Sequence, residues 1–171
     1  GAKTFNDAAF NLSASTTNTD NNIVAFSSTT TDVCTVDGTE VTMIKAGLCT
    51  ISASRTATDN YSAASSVDQS FTVAKDTLDT FAATAGGSSA GATVTYAPAG
   101  ATTVLLGTTG TAGGGTISYS VVGSEANCSI SDGTLTIESV GDGACVVTAT
   151  IAESTNYLSA TDTVTITIDK A

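Results

Sequence analysis

The side chains with the widest chemical repertoire in this 171-residue sequence are four cysteines, Cys34, Cys49, Cys128 and Cys145. A thiol can act as a nucleophile, ligate a metal or form half of a disulfide, and its neighbours decide which. Nucleophilic use needs a base to hold the thiolate, most often an imidazole, and the sequence contains no histidine. Structural zinc needs closely spaced pairs such as Cys-x2-Cys, which are absent too. Two states remain: disulfides, in one of three pairings, or four buried free thiols behaving as small hydrophobes. The missing histidine also removes Ser-His-Asp and Cys-His catalysis, the HExxH zinc helix and imidazole as a general base.

Paired carboxylates could still cleave a glycosidic bond. Glu40, Glu125, Glu138 and Glu153 fall in turn or polar-face contexts, however, and there is no tryptophan to form a sugar platform. Gly107–Gly115 is glycine-rich but lacks the Gly-Lys-Ser/Thr of a phosphate loop; residues 108–115 are expected to form a mobile loop. Thr19-Asp20-Asn21-Asn22, and Asp76 with Asp79, offer oxygen ligands for calcium without a full loop pattern, so solvated turns are the expected reading. Asn11-Leu-Ser13, Asn60-Tyr-Ser62 and Asn127-Cys-Ser129 match the glycosylation tripeptide, as chance alone produces in a Ser/Thr-rich chain. Lys3, Lys75 and Lys170 near strand ends raise intramolecular isopeptide bonds, but the second half has no lysine before Lys170. No catalytic, cofactor-binding or metal-binding residue is assigned, and no cofactor is expected.

The elements that position the cysteines recur. Cys34-Thr-Val-Asp-Gly38 matches Cys128-Ser-Ile-Ser-Asp-Gly133, and Ala46-Gly-Leu-Cys49 matches Asp142-Gly-Ala-Cys145. Tyr61 and Tyr157 each lie 12 residues beyond the second cysteine, and Phe71-Thr-Val-Ala-Lys75 matches Ile166-Thr-Ile-Asp-Lys170. Equivalent positions should make equivalent bonds, which selects Cys34–Cys49 and Cys128–Cys145. Loops of about 15 to 17 residues closed this way are each worth about 3 kcal/mol in the chain-entropy model. The recurring Tyr61 and Tyr157 are expected to be structural, with the ring at the core edge and the hydroxyl on a backbone group.

Within each copy the apolar period is two. Cys49, Ile51 and Ala53 share one face opposite Thr50, Ser52 and Ser54, and Cys145, Val147, Ala149 and Ile151 repeat the pattern. Asp37-Gly38 and Asp132-Gly133 read as tight turns, making hairpins of 32–44 and 127–139. Further strands are expected at 8–15, 22–28 and 66–74, and at 92–97, 101–107, 116–122 and 160–169. Six or seven strands per copy make two all-β sandwiches, residues 1–75 and 76–171. Domains this small bury only about 60 to 65 percent of their unfolded surface, so covalent bridges matter to them. Residues 76–91 add a strand near Leu78–Thr84 with no counterpart in the first copy. The expectation is that the chain starts inside or at the edge of a repeat, and that its parent carries further repeats and any export signal or anchor.

Net charge is −11, with four basic and seven acidic side chains in 1–75 and one and nine in 76–171. That balance repels a phosphate backbone, so nucleic acid is excluded as a partner. Val104-Leu105-Leu106 is among the longest apolar runs, far too short to insert in a membrane as a helix.

Cys34-Thr-Val-Asp-Gly, Val41-Thr-Met-Ile-Lys-Ala-Gly-Leu-Cys49-Thr-Ile-Ser-Ala53, Asp59-Asn-Tyr-Ser-Ala-Ala64 and Phe71-Thr-Val-Ala-Lys75, with their second-copy counterparts, resemble the bacterial immunoglobulin-like repeats of large surface and secreted proteins. The resemblance covers the C-terminal half of each copy, and residues 76–125 depart from the pattern. It implies two tandem immunoglobulin-like β-sandwich domains serving as a non-catalytic extracellular stalk, spacer or adhesin segment at a bacterial cell surface. Disulfides agree with an oxidising compartment. The implied partners are neighbouring repeats of the same chain, other copies, or a host or surface ligand. Two rival readings are a self-assembling filament or surface-layer subunit, built through open strand edges, and an adhesive or carbohydrate-binding module. Only five Phe and four Tyr are available to stack on sugars.

Overall fold

The computed structural model describes residues 2–20, 23–98, 100, 102–111, 113–122, 127–141 and 143–171. Among them the chain is all β, without a helix, and forms two compact units, Gly1–Asp76 and Thr77–Ala171. Each is a β-sandwich of two sheets.

Unit 1 contains β1 (Lys3–Thr4), β2 (Phe10–Asn11), β3 (Ala25–Ser28), β4 (Cys34–Asp37), β5 (Glu40–Met43), β6 (Gly47–Arg55) and β7 (Ala64–Ala74). One sheet has the order β1-β7-β6-β3 and the other β2-β5-β4. Strand β1 runs parallel to β7, with Lys3 opposite Val73, while β6 and β7 are antiparallel, with Cys49 opposite Phe71. Period-two burial follows from the pleat, which sends alternate side chains to opposite faces. Val41 and Met43 of β5 and Cys49 and Ile51 of β6 are buried, and Thr42 between the first two is exposed.

Unit 2 contains β8 (Ala82–Ala85), β9 (Ala92–Thr95), β10 (Thr102–Thr109), β11 (Ile117–Val121), β12 (Cys128–Ser131), β13 (Thr134–Ile137), β14 (Ala144–Ile151) and β15 (Ala160–Asp169). Its sheets are β12-β13-β10-β8 and β11-β14-β15-β9. Again the early strand β9 is parallel to the last strand β15. Cys145, Val147, Ala149 and Ile151 of β14 and Val164, Ile166 and Ile168 of β15 all point into the core. Leu135, fully buried on β13, contributes about 1.5–3 kcal/mol by leaving water.

The hairpin turns are not alike. In unit 2 Ser131 pairs with Thr134 around Asp132-Gly133, both at positive φ (47° and 73°). In unit 1 Asp37 is the last ladder residue, paired with Glu40, so the turn is Gly38-Thr39 rather than Asp37-Gly38. Gly38, at φ 59°, supplies the left-handed first position that Asp132 supplies in unit 2.

Two expectations for segments fail. Of residues 8–15 only Phe10–Asn11 form a strand. Thr108 and Thr109, expected in a mobile loop, are the end of β10 and pair with Ala83 and Ala82. The glycines beyond them permit close packing: Gly110, at φ 67°, has its α-carbon against the carbonyl of Thr80, and Gly113 has its own against the ring of Tyr157. A side chain at either position would collide with those neighbours.

The units differ in their cores. Among the described residues, seven buried side chains form that of unit 1 and thirteen that of unit 2. The surplus includes Ala83 and Ala85 of β8, a strand with no equivalent in unit 1.

Candidate functional site

All four cysteines are disulfide-bonded, Cys34 to Cys49 and Cys128 to Cys145, with Cα–Cα distances of 5.8 and 6.6 Å. Each bridge crosses the sandwich, joining β4 to β6 in unit 1 and β12 to β14 in unit 2. Burial is 93% or more at each cysteine, since the largest exposure is 7% at Cys128. Small polar groups surround the sulfurs: Ser28 Oγ lies 3.4 Å from Cys34 Sγ, and Asn127 Nδ2 donates to Cys145 Sγ at 3.9 Å. Oxidised, buried sulfur is neither nucleophile nor ligand.

Tyr61 and Tyr157 end equivalent turns. The Thr58 amide donates to the Tyr61 carbonyl at 2.9 Å, and the Ser154 amide to the Tyr157 carbonyl at 3.0 Å. Tyr61 is 41% exposed and its hydroxyl meets Thr19 Oγ1, a side chain, at 3.3 Å, so the backbone partner expected from sequence is not what it finds. Its loop is anchored by Asp20, whose carboxylate accepts from Thr58 Oγ1, Asn60 N and Asn60 Nδ2 at 3.0–3.3 Å. A hydroxyl-to-backbone bond is made by Tyr96, which donates to the Glu138 carbonyl at 2.9 Å. The position equivalent to Tyr96 in unit 1 is Phe5, whose amide donates to Ala74 as that of Tyr96 does to Asp169, and which has no hydroxyl to signal that bond.

The other chemical motifs are used locally. With Asp20 engaged in that anchor, Asn21 and Asn22 lie outside the described residues, as do Asp142 and Glu125. Asp76 accepts from Asn6 Nδ2 and Asp79 from Thr77 Oγ1. Among the described residues no cluster of three His, Cys, Asp or Glu could hold a metal. Glu40 and Glu153 are exposed, and Glu138 accepts from Ser129 Oγ at 2.7 Å. Asn127 of the glycosylation-like tripeptide is buried at 6% exposure, against Gly141, and out of reach of a modifying enzyme. Lys3 places its ammonium 4.5 Å from the Phe10 ring centroid, a cation–π contact rather than a crosslinking geometry.

A cleft of about 550 Å³ opens in unit 1. Leu12, Ala14, Phe26, Ala53 and, from β7, Val67 and Phe71 line it. Phe10 closes one end, edge-on to Phe71 with ring centroids 5.6 Å apart. The lining is mostly apolar, and Arg55 is the one charged side chain among the described residues that line it.

No protein-family model matches the chain, and no curated protein sequence matches it. Two similar solved structures are mouse protocadherin-24 EC1-3 and Drosophila N-cadherin EC1-4. The first is 14% identical with a TM-score of 0.37, covering 88% of this chain and 59% of that one. The second is 13% identical with a TM-score of 0.39, covering 85% of this chain and 41% of that one. The chain thus spans about three fifths and two fifths of their lengths.

Proposed function

We propose that this chain is a non-catalytic structural module, a stalk or spacer segment of a large extracellular protein at a bacterial surface. The observation that carries the reading is that each small sandwich holds its own buried cross-sheet disulfide. Such bridges persist in oxidising compartments and supply the stability that a core of this size lacks. The absence of histidine and the local hydrogen bonds of Asp20 and Glu138 support a role without catalysis. The repeat supports an array, in which neighbouring copies are the principal partners. Antibody raised to residues 1–171 tests the reading on intact producing cells: labelling without permeabilisation, together with both disulfides in the recovered protein, supports it. Labelling only after lysis, or free thiols at the four cysteines, sinks it.

A further inference from the structure

The two sandwiches can be aligned residue by residue through their ladders. Val41 pairs with Phe10 where Leu135 pairs with Val104, so Leu12–Ser15 are the counterparts of Leu106–Thr109. Cys49 pairs with Phe71 where Cys145 pairs with Ile166, so Val67, Gln69 and Phe71 are the counterparts of Asp162, Val164 and Ile166.

In unit 2 these two segments enclose β8. Leu106–Thr109 form its antiparallel ladder, from Leu106 opposite Ala85 to Thr109 opposite Ala82, and Ala83 N donates to the Asp162 carboxylate at 2.9 Å. The core face at β8 is dry: Ala83 and Ala85 are 1% exposed, Val164 3% and Ile166 0%. In unit 1 the same place is the 550 Å³ cleft. Residues 12–16 there form no ladder, Val67 is 58% exposed, Gln69 is exposed and Phe71 is only half-buried. The smaller core of unit 1 is therefore local to the missing strand, not spread through the fold.

We infer that this cleft is an acceptor site for a β-strand. Its occupant is an extended, uncharged segment with an aromatic or small apolar residue at every second position, as Phe81, Ala83 and Ala85 are spaced in β8. It runs antiparallel to Leu12–Ser15 and covers Val67 and Phe71. Added strands bind through main-chain hydrogen bonds and are selected by alternate side-chain pockets, and this cleft offers both. The strand enters ahead of β1, because β9, the counterpart of β1, receives β8 through residues 86–91. The inference goes beyond the spacer reading and stands without it, because it rests on the two units alone.

The test compares the full chain with a variant in which residues 77–91 are duplicated directly ahead of Gly1. Lys3 opposite Val73 corresponds to Val94 opposite Ile168, so this junction sets the copied strand in register. The calorimetric transition of unit 1 should rise by roughly 10 °C. Amides of Val67–Phe71 should exchange at least about tenfold more slowly. The variant should stay monomeric, and Ala83→Asp with Ala85→Asp in the duplicated copy should abolish both gains. Free peptide 77–91 added to the unaltered chain should shift the amide resonances of Leu12–Thr16 and Val67–Phe71, and this titration decides alone should the extended chain not fold. The inference is overturned by a transition that moves less than about 2 °C with unchanged exchange, by gains that survive the aspartates, by a peptide that shifts nothing at millimolar concentration, or by an unaltered chain already dimeric with those amides protected.

Discussion

The carboxylate of Asp162, on β15, accepts a hydrogen bond from the backbone nitrogen of Ala83, on β8, at 2.9 Å. One side chain thus ties β8, which belongs to the sheet of β10, to a strand of the opposite sheet. Asp162→Ala leaves that partly buried donor without its acceptor, and the cost is about 1–3 kcal/mol. Asp162→Asn keeps an oxygen and should recover most of it. Denaturant melts of unit 2 measure both, and equal losses in the two variants would rule out this role.

The disulfides act on separate units. Replacing Cys34 and Cys49 together by alanine should lower the stability of unit 1 by about 3 kcal/mol, a fall of more than about 10 °C in its transition. Unit 2 should be untouched, and the Cys128/Cys145 double variant should show the reverse. Calorimetry of the two variants reads this directly; one shared shift in both would show that the sandwiches do not unfold independently.

Gly110 and Gly133 share a left-handed backbone, at φ 67° and 73°, but not their surroundings. At Gly133 an added methyl meets open space, so Gly133→Ala carries only the conformational penalty of about 1–2 kcal/mol. At Gly110 it meets the Thr80 carbonyl as well, and Gly110→Ala should cost roughly 3 kcal/mol or more. Chemical denaturation ranks the pair, and a Gly110 variant as stable as the Gly133 variant would contradict the close approach.

Asp32 and Lys45 form an exposed ion pair at 2.9 Å across the base of the β4–β5 hairpin. The Lys45 hydrogen bond and charge hold the Asp32 carboxyl below the ordinary aspartate value. A depressed folded value means that the pair stabilises unit 1 above the unfolded aspartate pKa of about 3.9 and ceases to do so as pH falls through the lower folded value. In Lys45→Ala the Asp32 titration followed by NMR should move up to the ordinary value. A curve that stays where it was would show that Lys45 is not the cause.

Period two made the strands legible. Cys145, Val147, Ala149 and Ile151 are each buried because a pleated strand with one dry face leaves no other arrangement for that sequence. Ala82-Ala-Thr-Ala85 has too little contrast between its faces to announce a wedge against β10 and β15, and its burial is visible only in three dimensions. Glycine content misled at 108–115 because it marks close approach as well as freedom, and Gly110 against Thr80 is of the first kind. The recurrence of Tyr61 and Tyr157 reports a turn shared by the two copies, and a hydroxyl bond to a backbone carbonyl is made at Tyr96, where the first copy has Phe5.

The parallel pairing of the first strand of unit 1 with its last, β1 with β7, has a mechanical consequence. Tension applied to the two ends of that unit slides those neighbours past each other, so their hydrogen bonds are loaded together in shear instead of being unzipped one at a time. Once the sandwich yields, the segments between bridged cysteines, which stand 15 and 17 positions apart, still cannot pay out, which withholds roughly 50–60 Å of contour from each unit. A single-molecule stretch under oxidising and then reducing conditions should show each rupture lengthen by about that amount.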